Sequence, residues 1–521
     1  MTIRTFAWWG GLCVFAVANQ AHAGTADLLI RGGTVYTGSA APFTGDVAIT
    51  RDRISAVGRH LPVSARRVID AKGMIVAPGF IDPHTHAGDD LASNDPRQRL
   101  VPAFLMQGVT TAFIGNDGGG PIEVKAVLDR AKTTPVGINY ATYTGFGTIR
   151  QSVIGEANRA PTEAELGRMK ALVARAMCQG ALGLSTGLFY APQSFSKTDE
   201  VVALAGAAAQ HGGYYDSHIR DESSYTVGLN AAVDEAIMIG RVGHIPVHIS
   251  HIKALGVDVQ GQAPAIIAKI NAARAQGVNI TASQYPWNAS GTSLVAALVP
   301  LWAQDGGRGA LLTRFDDPSL AARLRADMSE NLRKRSGADR LLIVEGPFRN
   351  HRLSEIAKAH AMDPVAAAIA VIRLADPATV SFNQSERDIA AFMRQPWVMT
   401  DSDASTGHPR VYGSFARKYA KYAVVDHVIT VREFIERSSA LTADWFRLEG
   451  RGHLRPGAFA DIVVFDPKSY AARATYEQPT LFAAGVRTVL VNGVLAVDQG
   501  ALTGRAAGRA LPHQPAAGTC P

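Results

Sequence analysis

"PGFIDPHTHAGDD", residues 78–90, runs an apolar stretch straight into His84-Thr85-His86, with Asp89 and Asp90 close behind. Phe80 and Ile81 have the character of a buried strand end. In an extended chain, residues i and i+2 point to the same side, so His84 and His86 can aim two imidazoles at one point. A lone HxH pair also fits two loop histidines. The decision rests on whether other strands in the chain stop in the same way.

They do. "TTAFIGND" runs into Asp117, "GGYYDSH" into His218, "IPVHISH" into His251 and "WVMTDSD" into Asp401. Each has a plain alternative: His218 as a core histidine, His251 as a capping group, Asp401 as a helix N-cap. Their joint occurrence, each at a strand end, is harder to explain that way. Between about 79 and 440, strand-like runs alternate with Ala-rich helical stretches such as "EAELGRMKALVARAMCQG" and "TDEVVALAGAAAQHG". This alternation predicts βαβ units and a parallel sheet. The length fits an α/β fold of the (β/α)8 TIM-barrel type, with strands ending near His84, Asn116, Thr144, Ser185, His218, His251, Gln284 and Thr400. "TVSFNQ" at 379–384 is a ninth candidate for eight places. Barrel strands converge at their carboxyl ends, so His84, His86, Asp117, His218, His251 and Asp401 are expected to meet there. Histidine and carboxylate together suit zinc or a similar divalent ion.

Both chain ends read differently from the middle. Residues 24–78 and 441–521 carry short apolar runs split by turn signals, as in "DLLIRGGTVYTG" and "VRTVLVNGVLAVDQG". They predict a small β-sandwich domain into which the barrel is inserted, with a further lobe over the barrel at about 287–350. The first 23 residues have one cation, Arg4, then an apolar stretch, then Ala21-His22-Ala23. This is the pattern of a secretory signal peptide cleaved after Ala23, and it predicts a periplasmic or secreted protein with no stable membrane anchor. Cys178 and Cys520 remain after cleavage. An oxidising compartment would allow them to pair, and two free thiols fit the sequence equally well.

The 521 residues are 47% hydrophobic and carry a formal charge of +7, with 52 Lys and Arg interspersed among 45 Asp and Glu. No basic block or aromatic-interleaved patch points to nucleic acid. The expected partner is a small molecule, and the oligomeric state is open.

Several long stretches, in order, carry a family resemblance: "PGFIDPHTH", "GVTTAFIGN", "GALGLSTGLFYAP", "SHIRDE", "ISHIKALG", "YPWNAS", "HPRVYGSFAR" and "GHLRPGAFADIVVFDP". The chain resembles the amidohydrolase superfamily and, within it, the D-aminoacylase (N-acyl-D-amino-acid deacylase) family, over nearly all of its mature length. The resemblance implies metal-dependent hydrolysis of the amide of N-acyl amino acids, of D configuration in that family, with one or two zinc ions per subunit. It implies that His84, His86 and Asp401 hold one metal, that His218 and His251 hold a second, and that Asp401 is the proton shuttle. It implies that Lys253 receives the free carboxylate of the substrate, helped by Tyr190, Tyr285 and Ser290. Arg410 and Tyr412, just beyond Asp401, are further candidates for the same pocket.

One departure stands out. The family usually shows Gly-Asn-Cys-Gly with its cysteine on the metal, and here the run is Gly115-Asn116-Asp117-Gly118. A carboxylate is a harder ligand whose two oxygens can bridge two ions. The expected chemistry needs no serine nucleophile, so Ser185 in "GLSTG" is read as structural. Three alternatives stand beside the acylase reading: a dipeptidase for peptides with a C-terminal D-residue, a mononuclear deaminase, for which the acids of "SHIRDE" would serve, and a non-catalytic binding protein on the same scaffold. A cyclic-amide hydrolase of the dihydropyrimidinase type would use a carboxylated lysine after the fourth strand, and "GALGLSTG" has none.

Overall fold

The structure is a computed structural model that describes residues 25–520; the expected signal peptide lies outside the described residues. Eight parallel strand positions make the barrel. They are Phe80–Asp82, Val109–Ile114, Asn139–Thr142, Gly183–Gly187, Tyr214–His218, Val247–Ile249, Ile280–Gln284 and Val398–Thr400. The third continues past Tyr143 as Thr144–Gly145, which pairs with the fourth. A parallel bridge from Thr85 to Ala404 brings the first and last strands together and closes the ring. Intervening helices bury their apolar faces on it. Glu163–Cys178, for example, starts on a capping box in which Thr162 and Glu165 satisfy each other's end groups.

The two chain ends meet in one continuous nine-stranded sheet, the form taken by the expected sandwich. Ile75–Pro78 pairs antiparallel with Ile462–Phe465 and so ties the amino-terminal strands to the carboxyl-terminal ones. The chain then passes through Gly79 directly into the first barrel strand. A Cβ at Gly79 would collide with Thr110, so only glycine fits this passage.

Two boundaries differ from the sequence reading. The inserted lobe extends from Ser290 to Ser381 rather than to about 350, because its three-stranded antiparallel sheet recruits Leu341–Ile343 and Ala378–Ser381. Its apolar core, from Leu294 to Ile372, is separate from that of the barrel. The ninth strand candidate thereby belongs to the lobe, which resolves the surplus. Finally, not all of 441–521 joins the β-domain. Ala443 and Phe446 plug the amino-terminal end of the barrel against Ile81, Phe113 and Met399. The last residues form a strap across the same end, where Leu511 N–H donates to Tyr140 O, His513 N–H to Gly180 O and Ala516 N–H to His211 O. Cys520 at its end is bonded to Cys178 with an S–S distance of 2.03 Å. Among the described residues no helix is long and apolar enough to cross a membrane.

Candidate metal centre and active site

At the carboxyl ends of the strands, Asp117 is the hub. Its backbone is left-handed, φ 55°, and its main chain is held from two sides. Gln193 Nε2 donates to its carbonyl, and Ser185 Oγ accepts from Gly118 N–H while donating to Gly115 O at 2.5 Å. Ser185 is therefore structural, as the sequence suggested. The Asp117 carboxylate lies 3.4 Å from His84 Nε2, 3.4 Å from His86 Nε2, 3.7 Å from His218 Nδ1 and 3.7 Å from His251 Nε2. Aspartate tolerates left-handed backbone better than most residues. His251 (φ 35°) and Asp403 (φ 43°) share this uncommon geometry, and strain of this kind concentrates at functional sites.

The carboxylate expected at Asp401 is instead Asp403. Asp403 Oδ1 lies 3.7 Å from His84 Nε2 and 3.4 Å from His86 Nε2. Its N–H donates to His84 O at 3.0 Å, which ties the two loops together. Asp401 is buried at the last strand's end, where its N–H donates to Gln284 O, and it is absent from the groups of ligand atoms close enough to share an ion. Burial pushes its carboxyl up to about 6, with the negative charge of Asp403 acting in the same direction. Asp403, and not Asp401, is therefore the carboxylate that stands among the candidate ligands beside His84 and His86. The strand ends at Thr400, and beyond it the hydrogen bond to His84 O holds the second acid of "TDSD" at the level of the histidines while the first stays at the strand end.

Glu222 completes the centre. Its carboxylate is 3.8 Å from His218 Nε2, 3.2 Å from His251 Nδ1 and 2.5 Å from Lys253 Nζ. Lys253 Nζ, 2.7 Å from His251 Nδ1, shares that nitrogen with Glu222, and His251 Nε2 is left facing Asp117. In the sequence Glu222 was visible only as the end of "SHIRDE", four residues after His218.

These residues fit a divalent cation. Two sets of mutually close ligand atoms share His251: one is His84, Asp117, His251 and Asp403, the other His218, Glu222 and His251. His84 Nε2, Asp117 Oδ1 and His218 Nδ1 are buried with no hydrogen-bond partner among the described residues. Buried polar atoms are almost always satisfied, and cations held by the two sets would supply the missing partners. Burial pushes the His84 imidazole down to about 4, so its lone pairs are available at neutral pH. The Asp117 carboxyl, although burial pushes it upward, is held well below the usual range by His84, His218 and His251.

Above the centre lies a cavity of about 400 Å³. His86, Asp117, His218, His251 and Asp403 form its floor, and His84 is buried beneath. All five expected substrate residues line it: Tyr190, Lys253, Tyr285, Ser290 and Arg410. Two of them are already engaged. Lys253 pairs with Glu222, and Arg410 Nη1 lies 2.6 Å from Asp403 Oδ2. Tyr412 does not line this cavity; it borders a smaller one beside His86 and Asp90.

A family profile described as the amidohydrolase family matches residues 67–497. The D-aminoacylase of Alcaligenes xylosoxydans xylosoxydans is 33% identical over 93% of this chain and 97% of its own length. The chain belongs to the amidohydrolase family. Within it, this amidohydrolase sits among the D-aminoacylases. A D-aminoacylase structure described by its binuclear metal centre, with one-metal activation and second-metal attenuation, superposes with a TM-score of 0.80 at 30% identity, over 94% of this chain and all of that one. The N-acyl-D-glutamate deacylase of Bordetella bronchiseptica, solved with zinc and a phosphonate mimic of the tetrahedral intermediate, gives the same TM-score, identity and coverage.

Proposed function

We propose that this amidohydrolase uses zinc to hydrolyse the amide of N-acyl-D-amino acids, releasing a carboxylate and a free amino acid. One observation carries the reading: four histidines, Asp117 and Asp403 converge at and just beneath the floor of a cavity of about 400 Å³ whose walls carry Lys253 and Arg410. The relatives' activities and the zinc in the deacylase structure support it. A divalent cation held there supplies Lewis acidity, acidifying water and polarising an amide carbonyl.

The chain's own residues do the rest. Amide hydrolysis requires a group that takes the proton of the attacking water and returns it to the departing nitrogen. Asp403 stands at the floor between His84, His86 and Arg410. Burial pushes its carboxyl up, but Arg410 foremost, with the nearby histidines, holds it ionised. Arg410 also fixes its orientation by an ion pair at one oxygen, leaving the other facing the histidines. Tyr285, flanked by the Lys253 ammonium at 5.5 Å and the Arg410 guanidinium at 4.9 Å from its ring, marks the cationic side of the cavity. This is where the amino acid's carboxylate is received.

The test is amine release from paired N-acetyl-D- and N-acetyl-L-amino acids by zinc-loaded protein, with nucleobases as deaminase controls. Turnover of the D series supports the reading; ammonia from nucleobases with no acylase activity refutes it. We also place the mature chain outside the cytoplasm, on the leader pattern of residues 1–23 and the bond between Cys178 and Cys520. A mature amino terminus at Gly24 in an envelope fraction is the expected result, and an intact leader in the cytosol would exclude it.

A further inference from the structure

The cavity holds three cations, and they are not equivalent. Lys253 is paired with Glu222 and Arg410 with Asp403. The third, Arg335, is contributed by the lobe just beyond helix Ala321–Lys334. It is only 2% exposed, and it lines the cavity. Its Nε donates to Ala297 O at 3.0 Å and its Nη1 to Ser381 Oγ at 3.1 Å, which anchors the guanidinium. Nη2 makes no hydrogen bond to the described residues, and none of their carboxylates comes within 4.0 Å of the group. A buried charge without a counterion is unfavourable and is rarely retained unless something pairs with it. Two acids that act with it on Tyr225 are engaged by other cations, Asp258 by Arg333 and Glu222 by Lys253.

Its position says which part of a substrate reaches it. The guanidinium lies 5.5 Å from the Tyr225 ring, Tyr225 packs at 5.6 Å on Phe189, and Phe189 stacks at 5.8 Å on His218. Two aromatic rings thus stand between Arg335 and the metal centre. A carboxylate next to the scissile amide is served by the Lys253 and Arg410 side of the cavity. Arg335 suits an anionic group several atoms farther out.

Building on the acylase reading, we propose that Arg335 forms an anion subsite for a second carboxylate on the substrate, so that the preferred substrates are dicarboxylic N-acyl amino acids. That second carboxylate comes from an acidic side chain or from the acyl group. The planar, always-charged fork of arginine pairs with carboxylate in two parallel hydrogen bonds, a geometry lysine does not reproduce.

The experiment compares kcat/KM of zinc-loaded wild type and Arg335→Gln on N-acetyl-D-glutamate, N-succinyl-D-leucine, N-acetyl-D-glutamine and N-acetyl-D-leucine. Wild type should favour one of the two dicarboxylates over its monocarboxylate counterpart, and which one identifies the source. Arg335→Gln should lower that substrate by about 10- to 100-fold, mostly through KM, and leave the monocarboxylates within threefold. Arg335→Lys should restore part of the loss. Equal loss on all four substrates, or no loss on either dicarboxylate, overturns the subsite. Should Arg335→Gln fail to fold, product binding to wild type decides. D-glutamate must then bind at least tenfold more tightly than D-glutamine, or succinate than acetate, and equal binding overturns the subsite. Hydrolysis of N-acetyl-D-leucine with no dicarboxylate preference defeats the subsite alone. Absence of hydrolysis on every substrate defeats the acylase reading, while the binding comparison still reports on Arg335.

Discussion

Asp403→Asn separates the two acids of "TDSD" and tests the mechanism at its centre. The replacement keeps the size of the side chain and one carbonyl oxygen. It removes the charge, the capacity to accept a proton from water, and the capacity to return one to the leaving nitrogen. General acid–base catalysis contributes about 10²- to 10⁴-fold, and Asp403 is asked to act in both directions beside His84 and His86. A fall in kcat of at least about 10³-fold, near 4 kcal/mol of barrier, is the expected size. The structural cost is separate. Asp403 balances the buried Arg410 guanidinium at 2.6 Å, and removing one partner of a buried pair costs about 3–5 kcal/mol. The amide oxygen still accepts a hydrogen bond, so the lower end applies and the protein should fold with a reduced melting temperature. Metal should persist at His218, Glu222 and His251, whose ligand atoms do not depend on Asp403. Asp401→Asn is the companion variant. Its carboxyl lies outside both sets of candidate ligand atoms, so turnover should stay within tenfold of the parent. The assay is kcat on an N-acetyl-D-amino acid alongside metal content and thermal melting. An Asp403→Asn protein that is folded, metal-loaded and within tenfold of the parent rate would refute the assignment. Loss confined to Asp401→Asn would return the role to that residue.

Chelation should lower the melting temperature of the protein and added zinc should restore it, because ions that bind only the folded state stabilise it; unchanged melting with and without chelator would remove the metal centre. Asp117→Cys should keep metal and part of the activity, since both side chains coordinate as anions; a folded but metal-free variant would show that Asp117 is not the hub. Lys253→Ala leaves Glu222 buried without its cation and removes a cation from the wall that receives the substrate carboxylate, so it should impair amidated substrates and impair free acids more, with a falling metal content; equal loss on both would show that Lys253 serves Glu222 alone. Cys178→Ser frees the carboxyl-terminal strap and should destabilise the protein by about 2–4 kcal/mol with little change in turnover, read from denaturant unfolding and kcat; unchanged stability would mean the bond does not form.

The sequence alone determined the barrel, its insertion between two strand-rich ends, and most of the metal centre. Hydrophobic alternation and strand-end residues are local signals, and a barrel converts their order along the chain into convergence in space. His84, His86, Asp117, His218 and His251 needed nothing more. Tertiary structure decided what depends on height and pairing rather than on type. Asp401 and Asp403 are the same residue with the same parity, and only the bridge from Thr85 to Ala404 and the hydrogen bond from Asp403 N–H to His84 O put the second at the level of the imidazoles. Glu222 gained its place from Lys253 across 2.5 Å of space and 31 residues of chain. Arg335 and Ser381 are 46 positions apart and meet only because the lobe sheet recruits Ala378–Ser381, a segment whose sequence reads equally well as a barrel strand. Periodicity reports which face of an element is buried; which partner it is buried against is set by long-range packing that no window of sequence contains.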